Sequence, residues 1–354
     1  MKLDYILVGQ GLAGSILSYQ LLRRGKDILI INQRTENISS NVAAGIYNPI
    51  TGRSMVKSWM ADQLFSYLIP FYQRLEEEIG VKVLRPMPIF RPFLSVKEQN
   101  EWMAKSTQST FQNYIDEVII TSGYLPTLKS PIGGLLLKSS GYVDIRNLLQ
   151  GCRQSLVKRG SYREAIFDPE KLEVLPDRVR YDDLEARKII FCQGPQGLAS
   201  PFFNWLPYRL VKGEIILIET QEPLAVIVNR GIFVLPVGDR RFKVGATFNH
   251  HDLDSKPTQQ GHDELIGKLD QLIELEYDVV DQFAGIRPAT SDRRPFIGIH
   301  PKYEPLVVFN GLGTKGVSLA PYFSEQLVDF LEQKKGLDRD VNITRFFSLY
   351  FHSD

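Results

Sequence analysis

Cysteine and histidine are scarce: there are 2 and 5 of them in 354 residues. Cys152 and Cys192 lack C-x-x-C spacing, so neither a disulfide framework nor a zinc-ribbon reading has the residues it needs. His250 and His251 are adjacent and face opposite ways in an extended chain. No Cys, Asp or Glu at zinc-type spacing supports them, and no metal is expected. An excess of one charge sign is also missing. With 42 basic against 41 acidic residues the formal net charge is +1, so no global field draws the chain to nucleic acid or an anionic membrane. No apolar run nears the roughly 18 residues of a bilayer span. No signal sequence precedes the first strand-like run, and reduced thiols suit the cell interior, so a cytoplasmic location is expected. What remains is ordinary globular composition, 43% hydrophobic, enough for one large core or two linked ones.

Glycine is where the pattern sharpens. Gly9-Gln10-Gly11-Leu12-Ala13-Gly14 follows Tyr5-Ile6-Leu7-Val8, which reads as a buried parallel strand. Residues 16–22 then carry apolar side chains at helical spacing, and Ile28-Leu29-Ile30-Ile31 completes a βαβ unit. In that context Gly9 permits a tight turn, Gly11 lets backbone approach a pyrophosphate, and Gly14 lets helix and strand pack closely. The helix begins with free N–H groups and its positive end directed at the phosphates. The acidic residue that would bond a ribose is replaced by Asn32, whose amide oxygen can accept one hydroxyl proton. Gln33 and Arg34 follow, and an arginine here keeps a 2′-phosphorylated nicotinamide cofactor open. This stretch says dinucleotide, without saying which.

Further along, residues 39–49, including Ala43, Ala44, Gly45 and Tyr47, are small residues and turn formers suited to running beside a flat ligand or to a plain loop. Residues 57–80 read as one long helix kinked at Pro70 and ended by Gly80, with Glu76-Glu77-Glu78 on its solvated side. Residues 81–137 are weaker in pattern and suggest an insertion. Asp144 is a good N-cap for a helix closed at Gly160. Residues 187–192 read as a buried strand containing Cys192, a small core residue, and run into a turn at Gly194, so Cys192 and Gly194 form a candidate second contact to the dinucleotide. Four strand-like stretches between 214 and 247 have the short turns of an antiparallel meander, and an amphipathic helix with Leu265, Leu269, Leu272 and Ile273 follows. A last strand leads into Asn310-Gly311-Leu312-Gly313-Thr314-Lys315-Gly316-Val317, a second strand–loop–helix with its own glycine cluster.

Taken in order, Gly9 to Gly14, Ser40 to Pro49, Gly141 to Asp144, Val211-Lys212-Gly213-Glu214, Gly245-Ala246-Thr247, Gly285-Ile286-Arg287-Pro288 and the Gly311 cluster resemble the D-amino-acid oxidase family of FAD-dependent oxidoreductases. The resemblance implies an α/β chain: a Rossmann-like FAD-binding domain with a parallel sheet, plus an α+β substrate domain with an antiparallel sheet. Residues 1–80, 141–207 and 284–354 would form the first, and residues 81–140 and 208–283 the second. It implies non-covalent FAD, because neither cysteine falls where some relatives bond the flavin. It also implies oxidation of a C–N bond of an amino acid or secondary amine by hydride transfer to flavin N5. Arg287 matches the arginine that grips a substrate carboxylate, with pairing to Asp292 as the structural alternative. Lys315 and the helix after it would favour negative charge on the flavin, unless Lys315 is simply a solvated lysine. Phe233 stands where relatives have a tyrosine and Thr314 where they have a second arginine, which points to a larger or differently charged amine. Phe248 and Tyr47 could line the pocket or pack in the core. An NADP-dependent reductase, a non-catalytic flavoprotein, and a flavin domain acting on an aminomethyl group of tRNA through Arg53, Lys57, Arg85 and Arg91 are the alternatives. The electron acceptor and oligomeric state stay open.

Overall fold

The computed structural model describes residues 1–33, 39–52, 56–121, 127–129, 132–333 and 335–352. Arg34 and Arg53 lie outside these. The βαβ unit forms at the start, as strand Lys2–Val8, helix Leu12–Arg23 and strand Ile28–Asn32. In the first sheet Tyr162–Glu164, Ile28–Asn32, Lys2–Val8, Leu184–Phe191 and Leu306–Asn310 lie side by side, all parallel. Leu184–Phe191 divides its outer edge: its beginning pairs with antiparallel Val179–Tyr181 and its end with Leu306–Asn310. One face buries Leu7, Ile16, Ile30, Leu68, Phe71 and Phe323 among helices, and the other buries Ile6, Val8, Ile31, Ile189 and Phe191. Burial on both faces is why these strands read as unbroken apolar runs.

The second sheet runs in the order Tyr277–Arg287, Val211–Thr220, Arg241–Gly245, Ile232–Gly238, Ile227–Arg230, Ile89–Pro92, Gly134–Leu137 and Ile115–Ile119. Only the junction between Ile227–Arg230 and Ile89–Pro92 is parallel. The weakly patterned residues 81–137 therefore extend the meander. Ile216, Ile218, Val234, Phe242 and Val244 cover one face and pack against Leu265 and Leu269 of helix Gln259–Asp270. Leu272 and Ile273 fall just past that helix but stay buried. Strand Tyr277–Arg287 passes unbroken through position 284, where the expected domain boundary falls.

Local expectations meet two corrections. The long helix spans Ala61–Ile79, not 57–80, because Val56–Lys57 pairs with Ile50–Thr51 in a small ribbon. Glu76 is not on the solvated side. It is buried, and its carboxylate accepts from the amides of Val83 and Leu84 at 2.6 and 2.7 Å, tying the chain after Gly80 back onto the helix. Asp144 caps helix Ile145–Lys158, accepting from the Asn147 amide. Of the four cations considered for tRNA, Arg53 lies outside the described residues, Arg91 is buried and Lys57 pairs with Asp62 at 2.5 Å. No helix of the described residues is long and apolar enough to cross a membrane.

Under the first sheet's far edge, His300 is enclosed by Phe203, Trp205, Tyr303 and Tyr350, with ring centroids 5.0–6.4 Å away. Its Nδ1 accepts from the amides of Lys302 and Tyr303. Burial pushes its pKa down to about 4. The unfolded chain therefore binds a proton that the folded chain refuses between the ordinary histidine pKa and about 4, so stability falls as pH drops through that window. Thermal unfolding followed against pH is expected to show this loss. His300→Asn, which keeps an acceptor near Nδ1, is expected to flatten it.

Candidate active site

The glycine turn is built by close backbone contact. Gly9 has φ +98°, and a β-carbon on it would lie 2.7 Å from the Cys192 carbonyl. A β-carbon on Gly14 would lie 1.9 Å from the Gly9 carbonyl oxygen. Both glycines are demanded by the protein's own atoms. Gly11 is different. It has φ −76°, and its β-carbon would meet only Ser40 Oγ, at 3.4 Å. The fold leaves open space before Gly11, and a dinucleotide's pyrophosphate accounts for that space. Leu12 and Ala13 open the helix as buried residues, and Ser40 Oγ accepts from the Leu12 amide at 3.3 Å. Sequence reasoning missed Ser40 as a cap.

Asn32 ends its strand at the position expected for ribose recognition, yet its Oδ1 accepts from the Gln10 amide at 2.8 Å. One lone pair of that oxygen therefore holds the glycine turn. Its Nδ2 donates to the Tyr162 hydroxyl at 3.3 Å. Gln33 and Ala43 are exposed and Ala44 is half-buried, while Gly45 is buried against strand Gly141–Val143. Cys192 is buried behind the turn, and burial pushes its thiol well up, as suits a core residue.

The second glycine cluster lies beside the first. A β-carbon on Gly316, at the start of helix Gly316–Gln333, would sit 2.9 Å from Leu12 Cδ2. Two helix N-termini therefore converge. Asn310, which sequence reasoning passed over, joins the strand ends: its Nδ2 donates to the Gly194 carbonyl and its Oδ1 accepts from the Gly311 amide, both at 2.9 Å. Gly313 donates its N–H to the Pro288 carbonyl, which brings the cluster against the segment after Arg287. Thr314 is exposed and Val317 buried. Lys315 is not a solvated lysine. It is half-buried, its Nζ donates to Ser58 Oγ at 3.0 Å and Thr51 Oγ1 at 3.2 Å, and burial lowers its pKa, with Arg294 and Arg293 adding to the effect.

Across from these loops stands the second sheet. Its register puts Arg287, Gly213, Gly245, Phe233 and Lys243 on one face, opposite the apolar face under Gln259–Asp270. The Arg287 guanidinium lies over Gly213, where a β-carbon would be 2.0 Å from Nη2. Nη1 donates to the Thr247 carbonyl at 3.3 Å, and Phe248 stacks at 4.7 Å while remaining 65% exposed. Asp292 is taken by Arg345 at 2.8 Å, so the Arg287–Asp292 pairing does not occur. Among the described residues Arg287 has no carboxylate partner. Burial lowers its pKa to about 10, so it stays cationic at neutral pH. Lys243 is a second half-buried cation on this face: burial lowers its pKa, and Asp144 only partly offsets that. Its signal in the sequence is its alternation with Phe242 and Val244, which marks the face away from the apolar layer. Tyr47 is not at this face. It is 1% exposed within the first core, and its buried hydroxyl has no hydrogen-bond partner among the described residues.

A parallel sheet with a glycine turn built for a pyrophosphate, next to an antiparallel sheet presenting buried cations, defines an oxidoreductase of the dinucleotide-binding class. The chain belongs to the FAD dependent oxidoreductase family, whose profile matches residues 4–330, and FAD displaces the nicotinamide alternative. It is 24% identical to glycine oxidase of Pseudomonas putida over 94% of this chain and 95% of that protein. It is 22% identical to the tRNA 5-methylaminomethyl-2-thiouridine biosynthesis bifunctional protein of Marinobacter nauticus, over 93% of this chain but 55% of that protein. The chain thus spans about half the length of some relatives and nearly all of others. Among solved structures, glycine oxidase from Geobacillus kaustophilus superposes with TM-score 0.77 at 20% identity, covering 98% of each chain. Iminodiacetate oxidase from Chelativorans sp. does so with TM-score 0.76 at 19% identity, over 96% of this chain and 98% of that one.

The glycine geometry separates two substitutions. Gly14→Ala is expected to cost about 3 kcal/mol or more by overpacking. Gly11→Ala is expected to change the FAD-free protein by under about 1 kcal/mol while weakening FAD binding about tenfold or more. Thermal unfolding without FAD and a flavin fluorescence titration measure the two effects.

Proposed function

We propose that the protein oxidises the C–N bond of an amino acid or secondary amine. The observation that carries this reading is Arg287, a half-buried guanidinium without a carboxylate among the described residues. Leaving such a charge unpaired is costly, and a substrate carboxylate meeting its fork in two hydrogen bonds relieves the cost. Bound FAD supplies the acceptor for a hydride leaving the carbon next to nitrogen. The chain's residues orient the substrate for that transfer. The Thr247 carbonyl and the Phe248 ring fix the guanidinium plane, and Gly213 provides the space for it. Phe233 and Thr314 offer no further cationic or phenolic donor to the same carboxylate, which favours an amine whose other substituents contribute to binding. The start of helix Gly316–Gln333 directs its positive end toward the cofactor.

The names of the relatives support the same class, since glycine oxidases and an iminodiacetate oxidase act on small amines bearing carboxylates. Action on tRNA is less favoured, because Arg91 is buried and Lys57 is paired with Asp62. We assign the FAD-binding part to residues 1–80, 141–207 and 284–354 and the substrate part to 81–140 and 208–283, on the composition of the two sheets. The buried, unpaired cysteines favour a reducing compartment, and we assign the cytoplasm.

An anaerobic visible spectrum of the FAD-loaded enzyme, titrated with glycine, sarcosine, D-amino acids and larger secondary amines, tests the reading. At least one compound is expected to bleach the oxidised flavin. Arg287→Leu is expected to raise the concentration for half-bleaching about 30-fold or more, the scale of a lost charge-assisted contact. If no amine bleaches the flavin, the reading falls.

A further inference from the structure

Around the second glycine cluster, positive charge gathers without an acidic partner among the described residues. Lys315 is held by Thr51 and Ser58, whose hydroxyls also contact each other at 3.2 Å. Two of its three N–H directions are thereby used and one is left. The Arg294 guanidinium carbon lies over Trp59, 4.0 Å from the ring centroid, and Trp59 stacks on Phe323 at 5.6 Å with only 10° between the rings. The guanidinium is therefore held against a packed ring, and it makes no ion pair among the described residues. Arg293 adjoins it, and both arginines act on Lys315 as like charges. The nearby acid, Asp292, is engaged by Arg345, the Thr290 hydroxyl and the Arg294 backbone amide. Like charges this close repel unless an anion joins them. The cluster is also joined to the carboxylate-binding arginine, because Gly313 bonds the carbonyl of Pro288, directly after Arg287.

We propose that Lys315 and Arg294 form a second anion site, and that the natural substrate is an amine carrying two acidic groups, one for Arg287 and one for this pair. The proposal rests on the amine-oxidoreductase reading and narrows its substrate class. It also accounts for Phe233 and Thr314: where the first carboxylate has fewer donors, a second anion elsewhere restores affinity and selects against simple amino acids. A planar fork beside an ammonium accepts either a carboxylate or a phosphonate-type group, so the test includes both.

The test is calorimetric binding of acetate, malonate, succinate, glutarate and phosphonoacetate to the FAD-loaded enzyme. At least one dianion is expected to bind about tenfold or more tightly than acetate, and the best chain length reports the spacing of the two sites. Arg294→Gln and Lys315→Met, checked for full FAD content, are each expected to remove that advantage and leave acetate affinity within about twofold. Arg287→Leu is expected to weaken acetate and dianion alike. Equal affinity for acetate and every dianion in the parent enzyme overturns the proposal. So does an equal loss of acetate and dianion binding in Lys315→Met, since Lys315 and Arg287 would then grip one carboxylate. If the dianions behave as expected but no amine bleaches the flavin, the anion site stands and the amine-oxidation reading is the one that fails.

Discussion

Between Gly9 and Gly14 a backbone carbonyl occupies the place of a side chain, and the Cys192 carbonyl presses on the same turn from the neighbouring strand. Three strand ends meet there, because Asn310 ties the last of them to the Gly194 turn. Packing this tight leaves one geometry for the first helix, and Gly316 against Leu12 sets the last helix beside it. Two sets of free N–H groups thus point into one region, an arrangement stable only with an anion or water among them. Room for an anion there follows from how the backbone packs.

The same logic extends outward. In a chain whose formal net charge is only +1, Arg287, Lys243, Lys315 and Arg294 are without a carboxylate partner among the described residues. Glu214, buried beside Gly213, is spent on the Thr258 amide and hydroxyl and on Gln282, which fix helix Gln259–Asp270. Lys212, also buried, is clamped by Asp252 and Asp254 at 2.5 and 2.6 Å, which anchors the segment carrying Phe248. Charges pointing to the apolar side of the substrate sheet are neutralised within the protein. On the opposite face Arg241 pairs with Glu219, whereas Arg287 and Lys243 have no carboxylate partner among the described residues, and alternation along a strand separates them from Lys212 and Glu214.

Much of this was legible in the sequence, for identifiable reasons. Periodicity and capping gave the βαβ unit, the helix at Asp144 and the meander, because those signals are local. Residues 81–137 resisted because their strands pair with segments far along the chain and one joins in parallel, so no neighbouring turn announces them. Glu76 misled for the opposite reason: its acidic neighbours mark a wet face, while its own partners are backbone amides that no composition reveals. In the site, Arg287 was found by its motif, and its freedom from Asp292 became visible only once Arg345 had claimed that acid. Asn32 has a partner that the sequence did not show, the Gln10 amide, since a backbone donor leaves no trace in residue type.

The central parallel sheet also bears on how the protein is made. Val8 pairs with Phe191, and Phe191 with Val308, so the first strand synthesised lacks a native neighbour on that side until the middle of the chain emerges. The sheet is closed only when Leu306–Asn310 has been made. At about 5–20 residues per second the roughly 180 residues from Val8 to Phe191 take about 9 to 36 seconds, during which one edge of an apolar strand stays unpaired. A nascent chain of this topology depends on shielding by chaperones or on slow collapse, whereas the antiparallel meander, built from neighbours, can form while the ribosome is still at work.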